Sequence, residues 1–512
     1  MFTGLYKFGE NCMKVLAVIF CALIFLSAFL LTAFNSGVTG HLFELKLDFG
    51  IFSLSIIALV FLAGFLLYKL IKKNIQKGLT VLLIIVMAWY LIAGLYMAFF
   101  GRCMPNSDSW AVYAMSKSIA EGDLSIINPT GSYMSYYPQQ IGICTFLSWI
   151  IRVINIFPIH IEEFHFLAAI YAVFESITVF FMYKTVDMLF ENKKTDFIFL
   201  FLSIFNFPYI MYSSYIYGEI PAMMFFSIGA YFLTLLFRGK LRVWVCILIS
   251  VLSFTLSVFT RKNTLVMIIG VLIVLLFQAM KEKHFKYLIS AVLIGVCSFL
   301  VLPITVKIYE KKAGNTLTTG VTPLSYFAMG MQEIDTVNPG WYTGFNFETF
   351  EESGCNPEIA NEISRAEIAR RKAEFKADSK MAFSFYARKF LTQWVDGTYF
   401  SRESTYVYYG DRSDFLMRVY SGDFGRRYIF VCNIFQTMVF GGAFLWALFS
   451  FKKSRKEDLL FKSFIFVGIF GGFLFHMLWE ANSRYILTYA CMLIPYAASG
   501  IEAVTGGEKS LE

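Results

Sequence analysis

Twelve apolar segments, each long enough to cross a lipid bilayer, constrain the fold of this 512-residue chain more than any other feature. A helix needs about 20 apolar residues to span the hydrocarbon core. With 57% hydrophobic and 16% charged residues, the chain has too little polar surface for a water-soluble fold. The sequence therefore predicts an all-α polytopic membrane protein. The segments lie at residues 15–34, 51–71, 79–100, 164–186, 196–213, 220–237, 243–260, 264–280, 287–305, 428–450, 461–478 and 484–501.

Lysine and arginine in the loops predict which side each loop faces, because cytoplasmic loops are enriched in these residues. If the basic clusters are cytoplasmic, then both termini are cytoplasmic and residues 101–139 and 306–427 are extracytoplasmic. The longer of these, here called the long hydrophilic segment, contains 16 Lys/Arg and 16 Asp/Glu between Val306 and Arg427 and shows no positive bias. We predict a multi-pass protein of the cell membrane. The clusters are Lys69–Lys77, Lys184–Lys194, Arg238–Arg242, Lys281–Lys286 and Lys452–Lys456.

This topology requires an odd number of crossings between residues 139 and 193, so one of two apolar stretches there does not cross. Residues 140–157 are interrupted by Arg152 and Pro158 and followed by the polar stretch His160–His165, which predicts an interfacial helix. We predict two extra N-terminal helices (1–78), a transmembrane core (79–305), a small extracytoplasmic domain (306–427) and C-terminal helices (428–512). Within the long hydrophilic segment, Asn356-Pro357-Glu358 predicts a helix start, and Met381–Trp394 predicts an interfacial helix.

Several function classes have no support in the sequence. The net charge of +8 comes from residues scattered between apolar segments, which does not indicate nucleic-acid binding. Nine cysteines lie singly, without metal or disulfide spacing. Neither a phosphate-binding GxxxxGK[ST] loop nor a dinucleotide-binding GxGxxG after a strand is present.

Carboxylates near the extracytoplasmic ends of predicted helices are functional candidates, because membrane proteins place ionisable groups in apolar surroundings sparingly. Asp108 lies in Asn106–Trp110 and precedes a predicted short helix at Ala111–Ala120. Either Asp108 or Ser109 caps this helix, or Asp108 faces a substrate. Glu219 opens the sixth apolar segment and is either a solvated turn residue or a second carboxylate facing the same cavity.

Two adjacent cations, Arg261 and Lys262, lie in a short loop that the topology places outside, where positive charge is disfavoured. A lipid phosphate is a natural partner for them, and plain snorkelling is the alternative. The last extracytoplasmic loop is the richest in polar groups. An ion pair between Glu480 and Arg484 is its structural explanation, but we favour contact with a substrate.

Tyrosines at the headgroup level usually belong to the aromatic belt, yet the stretch Tyr133–Gln140 also contains Pro138 and two amides. A role in contacting a polar headgroup is the alternative for this stretch. The candidate substrate-contacting residues are Tyr137, Gln139, His476, Trp479, Glu480 and Tyr485.

These groups suit a displacement at a carbon that bears a lipid-linked phosphate. A carboxylate takes the proton of an acceptor hydroxyl as general base. Arginine and lysine stabilise the charge that grows on the departing phosphate. Asp108 and Glu219 are also able to hold a divalent cation, although the sequence requires no metal or other cofactor.

The order of these features resembles the GT-C superfamily of integral membrane glycosyltransferases. It is most similar to the branch with protein O-mannosyltransferases and the lipid A aminoarabinose transferase (glycosyltransferase family 39-like). The similarity covers most of the chain from about residue 79 onward. The matching features are the loop acid Asp108, the YYPQ stretch Tyr136–Gln139, Glu219 opening a span, the closing E-x-x-x-R-Y of Glu480–Tyr485, and Pro495 in the last span.

The resemblance implies a GT-C-like bundle and a sugar donor linked to polyprenyl or dolichyl phosphate. Asp108 then corresponds to the catalytic carboxylate, and Arg261, Lys262 and Arg484 become candidate ligands of the donor phosphate by position. The chain departs from the family in its two extra N-terminal spans, in Ser109 after Asp108 instead of the Glu common in mannosyltransferases, and in its short extracytoplasmic domain. We expect a bacterial enzyme whose acceptor is a cell-wall or surface glycan, a protein or a lipid.

Three other functions fit parts of the sequence. A transporter or flippase of lipid-linked sugars would place ionisable groups and broken helices at mid-membrane depth. A polysaccharide polymerase or ligase would share the lipid-phosphate chemistry and differ in its acceptor. A membrane scaffold would use the long hydrophilic segment to bind a partner without catalysis.

Overall fold

The computed structural model describes residues 2–34, 42–47, 50–101, 103–157, 162–406, 413–453 and 459–505. The predicted boundary residues Pro158 and His160 and the basic residues Arg455 and Lys456 lie outside this part of the chain. The first elements are α1 (Phe2–Leu30), β1 (Leu31–Phe34), β2 (Glu44–Leu47), α2 (Ile51–Ile71), α3 (Ile75–Phe99), α4 (Ser107–Glu121), α5 (Tyr133–Tyr136), α6 (Ile141–Ile154), α7 (Glu163–Phe190) and α8 (Lys193–Ser203). The middle elements are α9 (Phe207–Met211), α10 (Glu219–Arg238), α11 (Val243–Thr260), α12 (Leu265–Glu282), α13 (Phe285–Ala313), α14 (Pro323–Met329), α15 (Phe345–Glu352) and α16 (Pro357–Ala377). The last are α17 (Ser379–Trp394), α18 (Ser401–Ser404), α19 (Asp414–Tyr420), α20 (Gly422–Lys453), α21 (Leu459–Lys462), α22 (Phe464–Leu478) and α23 (Ser483–Thr505).

The described part of the chain contains nine helical stretches long and apolar enough to cross a membrane, with Ile51–Phe99 counted as one. A pair bent by 53°, Lys193–Ser203 with Phe207–Ser214, makes a tenth if it is one span, and Phe464–Leu478 is apolar but shorter. Helices satisfy their own backbone hydrogen bonds, which the bilayer requires. The chain is therefore an all-α, multi-pass membrane protein.

The stretch Ile51–Phe99 is not one straight rod. It changes direction at Lys72–Asn74, where the Asn74 side chain caps the next helix by accepting a hydrogen bond from the Lys77 amide. A Cβ added at Gly78 would lie 2.5 Å from Ile71 Cβ. Residues seven apart in a straight helix are about 10 Å apart. The two apolar segments predicted here are therefore separate helices joined by a tight turn.

Two predicted spans differ from the structure. The first, residues 15–34, is helical only to Leu30, because Leu31–Phe34 pairs as an antiparallel strand with Glu44–Leu47. The span predicted at 196–213 breaks between Ser203 and Phe207 and bends. Hydropathy alone detects neither change, since strand and helix residues here are equally apolar.

Several local predictions are confirmed. The stretch predicted at residues 140–157 forms a separate helix, α6, over Ile141–Ile154. The short helix predicted at Ala111–Ala120 lies within α4, which begins earlier, at Ser107, and so includes Asp108. The helix predicted to start at Asn356-Pro357 is α16, and the Asn356 side chain accepts a hydrogen bond from the Glu358 amide.

Small residues set the helix contacts that position the site. A Cβ added at Gly500 on α23 would lie 2.0 Å from the Gly442 carbonyl oxygen on α20, so these helices touch backbone to backbone. The same close approach joins α12 and α22 at Gly270 and Gly468. Close backbone packing of this kind drives helix association in lipid, and here it brings the starts of α12 and α23 to one end of the bundle.

Candidate functional site: an arginine–carboxylate cluster at one end of the bundle

Four charged residues from distant parts of the sequence meet at one end of the helix bundle. Asp108 lies in the first turn of α4, and Glu219 begins α10. Arg261 lies between α11 and α12, and Arg484 is in the first turn of α23. We call these four residues the arginine–carboxylate cluster.

Arg484 links the two carboxylates of the cluster. Its Nη2 donates to Asp108 Oδ2 at 3.3 Å, and its Nε lies 3.8 Å from Glu219 Oε1. The Arg484 side chain is 12% exposed and that of Asp108 is 35% exposed. Asp108 therefore combines a fixed cationic partner with access from outside the protein.

Glu219 and Arg261 form the second ion pair, with Arg261 Nη2 2.9 Å from Glu219 Oε1. Their loops touch because residue 218 is glycine. A Cβ there would lie 2.3 Å from the Thr260 carbonyl oxygen and 3.1 Å from Arg261 Cδ. Any larger residue would push Glu219 away from Arg261.

Tyrosines surround both guanidinium groups. Arg261 lies over the Tyr217 ring at 4.8 Å, and Arg484 lies 5.5 Å from both Tyr215 and Tyr217 and 5.4 Å from Tyr485. Arg484 Nη1 also donates to Tyr215 Oη at 2.5 Å. Stacked rings and hydroxyls hold the planar guanidinium groups in one orientation.

Neither Asp108 nor Ser109 caps α4. The N-cap is Asn106, and its side chain instead donates to the carbonyls of Ser404 and Tyr406. Asp108 points into the cluster and also accepts a 3.2 Å hydrogen bond from Tyr133 Oη. The capping interpretation is therefore wrong. The side chain at the N-cap position, Asn106, bonds to the long hydrophilic segment, and the Asp108 side chain bonds within the cluster.

The predicted ion pair between Glu480 and Arg484 is also replaced. Arg484 pairs with Asp108 and Glu219, while Glu480 Oε1 accepts from Tyr485 Oη at 2.9 Å. The His476 ring is buried, and Nδ1 lies 3.3 Å from the Glu480 carbonyl oxygen. The last loop is thus folded around Glu480, beside the cluster.

The remaining predicted site residues are Lys262, Gln139, Tyr137 and Trp479. Lys262 is exposed and belongs to neither ion pair of the cluster. Gln140, the neighbour of the predicted Gln139, donates to Tyr217 Oη. Tyr137 packs 4.8 Å from Tyr133, and Trp479 stacks on Tyr326 at 5.3 Å.

A small cavity lies directly beside the Glu219–Arg261 pair. Its walls combine this ion pair and two threonines with apolar side chains. Charged and apolar side chains therefore lie next to each other at this point of the bundle. The remaining lining residues are Ala222, Met223, Phe226, Thr264, Met267 and Thr488.

Sequence reasoning missed two buried ionisable residues that hold the site together. Lys389 on α17 is fully buried and donates to the carbonyls of Gly330 at 2.5 Å and Trp479 at 2.7 Å. Asp396 accepts from Ser483 Oγ at 2.7 Å, next to Arg484. A lone lysine in the apolar stretch Met381–Trp394 is the one sequence signal that pointed to Lys389.

The space between the carboxylates of Asp108 and Glu219 contains the Arg484 guanidinium. Within the described residues, no group of three or more His, Cys, Asp or Glu side chains clusters as metal ligands do. The side chains that meet in the cluster offer guanidinium, carboxylate and phenol groups.

Glu480 predicts a specific pH dependence of stability. Burial raises its pKa from 4.5 to about 7, so the folded protein binds more protons than the unfolded chain between these values. Stability should then fall as pH rises from about 4.5 to 7, by at most about 3 kcal/mol. Glu480→Gln should abolish this fall in a pH series of melting temperatures.

The matched control is Glu362→Gln on the exposed face of α16, which should melt like the wild type at every pH. Burial lowers the pKa of Lys389 from 10.5 to about 7, so its effect has the opposite sign and lies above pH 7. An unchanged fall in Glu480→Gln would contradict the assignment.

Comparison with models of known protein families finds no match. No curated protein matches the chain either.

Proposed function

We propose that this protein is a membrane glycosyltransferase of the GT-C type, which transfers a sugar from a polyprenyl-phosphate-linked donor to an extracytoplasmic acceptor. The observation that carries the proposal is the Asp108–Arg484–Glu219–Arg261 cluster beside an apolar cavity. It combines a partly accessible carboxylate, two oriented guanidinium groups and adjoining apolar side chains.

In the proposed reaction, the oxygen of an acceptor hydroxyl attacks the anomeric carbon of the donor sugar. The Asp108 carboxylate takes the hydroxyl proton as the new C–O bond forms. The bond between the anomeric carbon and the phosphate oxygen breaks, and the polyprenyl phosphate leaves with the electron pair. One acceptor hydroxyl is consumed and one glycosidic bond is made.

Arg261 and Arg484 stabilise the negative charge on the leaving phosphate, which grows during bond breaking. Both are already paired with carboxylates, so they are oriented before the donor binds. Glu219 holds the two guanidinium groups in place. Lys262, exposed in the same loop, adds a positive charge at the lipid-facing side, where a headgroup enters.

We further propose twelve crossings with both termini cytoplasmic. The spans are α1, α2, α3, α7, the bent pair α8–α9, α10, α11, α12, α13, α20, α22 and α23. In this topology the cluster and the long hydrophilic segment are extracytoplasmic. This placement agrees with the use of a lipid-linked donor instead of a cytoplasmic nucleotide sugar.

Cysteine labelling tests this topology. The nine native cysteines are buried or half-buried, so the background reactivity should be low. Ala377→Cys at the end of α16 should react with a membrane-impermeant maleimide in intact cells. His284→Cys, before α13, should react only after lysis. Both positions are exposed in the structure. The reverse pattern would contradict the topology.

The direct test of function is a transfer assay. Purified protein in nanodiscs, given polyprenyl-phosphate sugars and a panel of glycan, peptide and lipid acceptors, should release polyprenyl phosphate and form a glycosylated product. Absence of product with every donor and acceptor would argue against the enzyme.

A second candidate function, transport of a lipid-linked sugar, is favoured by one observation. Glu175 is fully buried near the middle of α7, and neither of its carboxylate oxygens has a hydrogen-bond partner within the described structure. The bend between α8 and α9 packs against the same part of α7, because Tyr209 Oη donates to Thr178 Oγ1, and Asn206 at the bend donates to Cys491 Sγ. Intramembrane carboxyl groups beside broken helices are typical of transporters.

An assay in proteoliposomes distinguishes the transporter from the glycosyltransferase. A transporter moves a fluorescent lipid-linked sugar between leaflets, and Glu175→Gln abolishes the movement. The enzyme forms product without such movement, and Glu175→Gln leaves the catalytic cluster unchanged.

A further inference from the structure

Three separate parts of the chain build an aromatic recess beside Asp108. Tyr137 comes from the segment after α4, Tyr326 and Tyr342 come from the long hydrophilic segment, and Trp479 comes from the last loop. We call these four residues the aromatic recess. The recess is open, since Tyr342 is 41% exposed and the other three rings are half-buried.

Two rings of the recess stack on each other, and Phe475 also stacks on Trp479, with centroids 5.0 Å apart. Tyr326 and Trp479 are nearly parallel, with an angle of 14° and centroids 5.3 Å apart. An aromatic belt that only contacts lipid does not require such pairing across distant segments. The long hydrophilic segment therefore contributes walls to the site.

Two carboxyl groups lie beside these rings. Asp108 accepts from Tyr133 Oη, and the centroid of the Tyr133 ring lies 4.8 Å from that of Tyr137. Glu480 directly follows Trp479, and the carbonyl of Gly340, two residues before Tyr342, accepts a 2.8 Å hydrogen bond from the Ala481 amide. The recess therefore combines aromatic faces with hydrogen-bonding groups, and one of these groups is the proposed base.

The recess is held in place by Lys389. Its Nζ donates to the carbonyl of Gly330, just after the helix that carries Tyr326, and to the carbonyl of Trp479. A Cβ added at Gly330 would lie 2.7 Å from the Trp479 backbone, so the two segments are in direct contact. A preorganised surface of this kind loses little entropy when a ligand binds.

We propose that the acceptor is a saccharide, bound in the aromatic recess with one hydroxyl directed at Asp108 and others hydrogen-bonded to Glu480 and the tyrosine hydroxyls. Sugar rings have an apolar face of C–H groups and an equatorial edge of hydroxyls, and the recess offers a partner for each. This inference rests on the proposed function for the transfer step, but saccharide binding by itself does not. Glycosyl transfer to this acceptor forms a C–O bond, breaks the bond to phosphate and passes the proton to Asp108.

The test measures binding without the donor. Wild-type protein in nanodiscs is titrated with trisaccharides of glucose and of N-acetylglucosamine and, separately, with a serine- and threonine-rich decapeptide, by saturation-transfer NMR and calorimetry. At least one trisaccharide should bind, and the peptide should not. Tyr342→Ala should weaken trisaccharide binding about tenfold, which is the effect of losing one stacking contact.

Two further variants make the result specific. Tyr342→Phe keeps the ring and should bind within about threefold of wild type. Phe383→Ala removes an exposed aromatic ring on α17, away from the recess, and should bind like wild type. Tyr342→Ala and Phe383→Ala with the same affinity would overturn the proposal, as would peptide binding without trisaccharide binding.

The outcomes separate this inference from the enzyme proposal. Trisaccharide binding without transfer from any donor would contradict the proposed glycosyltransferase activity but support saccharide binding in the aromatic recess. Transfer to a peptide without trisaccharide binding would contradict the proposed saccharide acceptor but support the proposed glycosyltransferase activity.

Discussion

Replacing Asp108 by asparagine is expected to lower the transfer rate by about 10²- to 10⁴-fold, the usual contribution of a general base. The amide retains the shape of the side chain but cannot take a proton from the acceptor. Its oxygen still accepts a hydrogen bond from Tyr133 or Arg484, so the local structure should persist. The measurement is the initial rate at saturating donor, together with a melting curve.

The matched control for this variant is Asp123→Asn. Asp123 follows α4 in the same predicted extracytoplasmic segment and is exposed, and its carboxylate accepts hydrogen bonds from Ser125 in its own turn. The Asp123→Asn variant removes one negative charge, as Asp108→Asn does, and it should retain full activity. If Asp108→Asn kept more than about a tenth of the wild-type rate, then Asp108 would not be the base.

Replacing Arg484 by lysine or alanine is expected to give the second-largest effect. Arg484 contacts Asp108 and Glu219 at once, which a single lysine ammonium cannot reproduce. Arg484→Ala should lower kcat/KM by about 10²- to 10³-fold, since it removes a preorganised group that stabilises charge on the leaving phosphate. Arg484→Lys should show an intermediate loss.

Arg484→Ala should also lower the melting temperature. It removes one of the two cations beside Glu219, which is 4% exposed, and a buried carboxylate with fewer partners is costly. The control is Arg388→Ala, which breaks an ion pair with Glu333 on the partly exposed surface of α17 and should leave kcat/KM unchanged. Equal losses in the two variants would indicate a general effect of charge at this face.

Part of the cluster was predictable from the sequence, and part was not. Asp108, Glu219, Arg261 and Arg484 were each selected because charged groups at the ends of apolar helices are rare. Their partners were not predictable. Glu480 and Arg484 are four residues apart and looked like an ion pair, yet Arg484 pairs with Asp108, 376 residues away.

The aromatic recess and Lys389, which holds it in place, were likewise only partly predictable from the sequence. The sequence indicates Tyr137 and Trp479 as substrate contacts, but it gives no such indication for Tyr326 and Tyr342 in the long hydrophilic segment. Lys389 carried only a weak signal. Glu175 carried none, because one carboxyl group in a long apolar helix does not change its hydropathy enough to notice.

The sequence by itself determined that this is a helical multi-pass membrane protein, because a bilayer accepts only segments that are long, apolar and internally hydrogen-bonded, and these properties are local. It also located the polar ends of the helices. Only the tertiary structure decided which helix ends lie in contact. These contacts depend on helix pairs that approach closely at small residues such as Gly442 and Gly500. They also depend on interactions between residues hundreds of positions apart in the sequence. A single sequence does not record such contacts, since many helix arrangements bury the same apolar surface equally well.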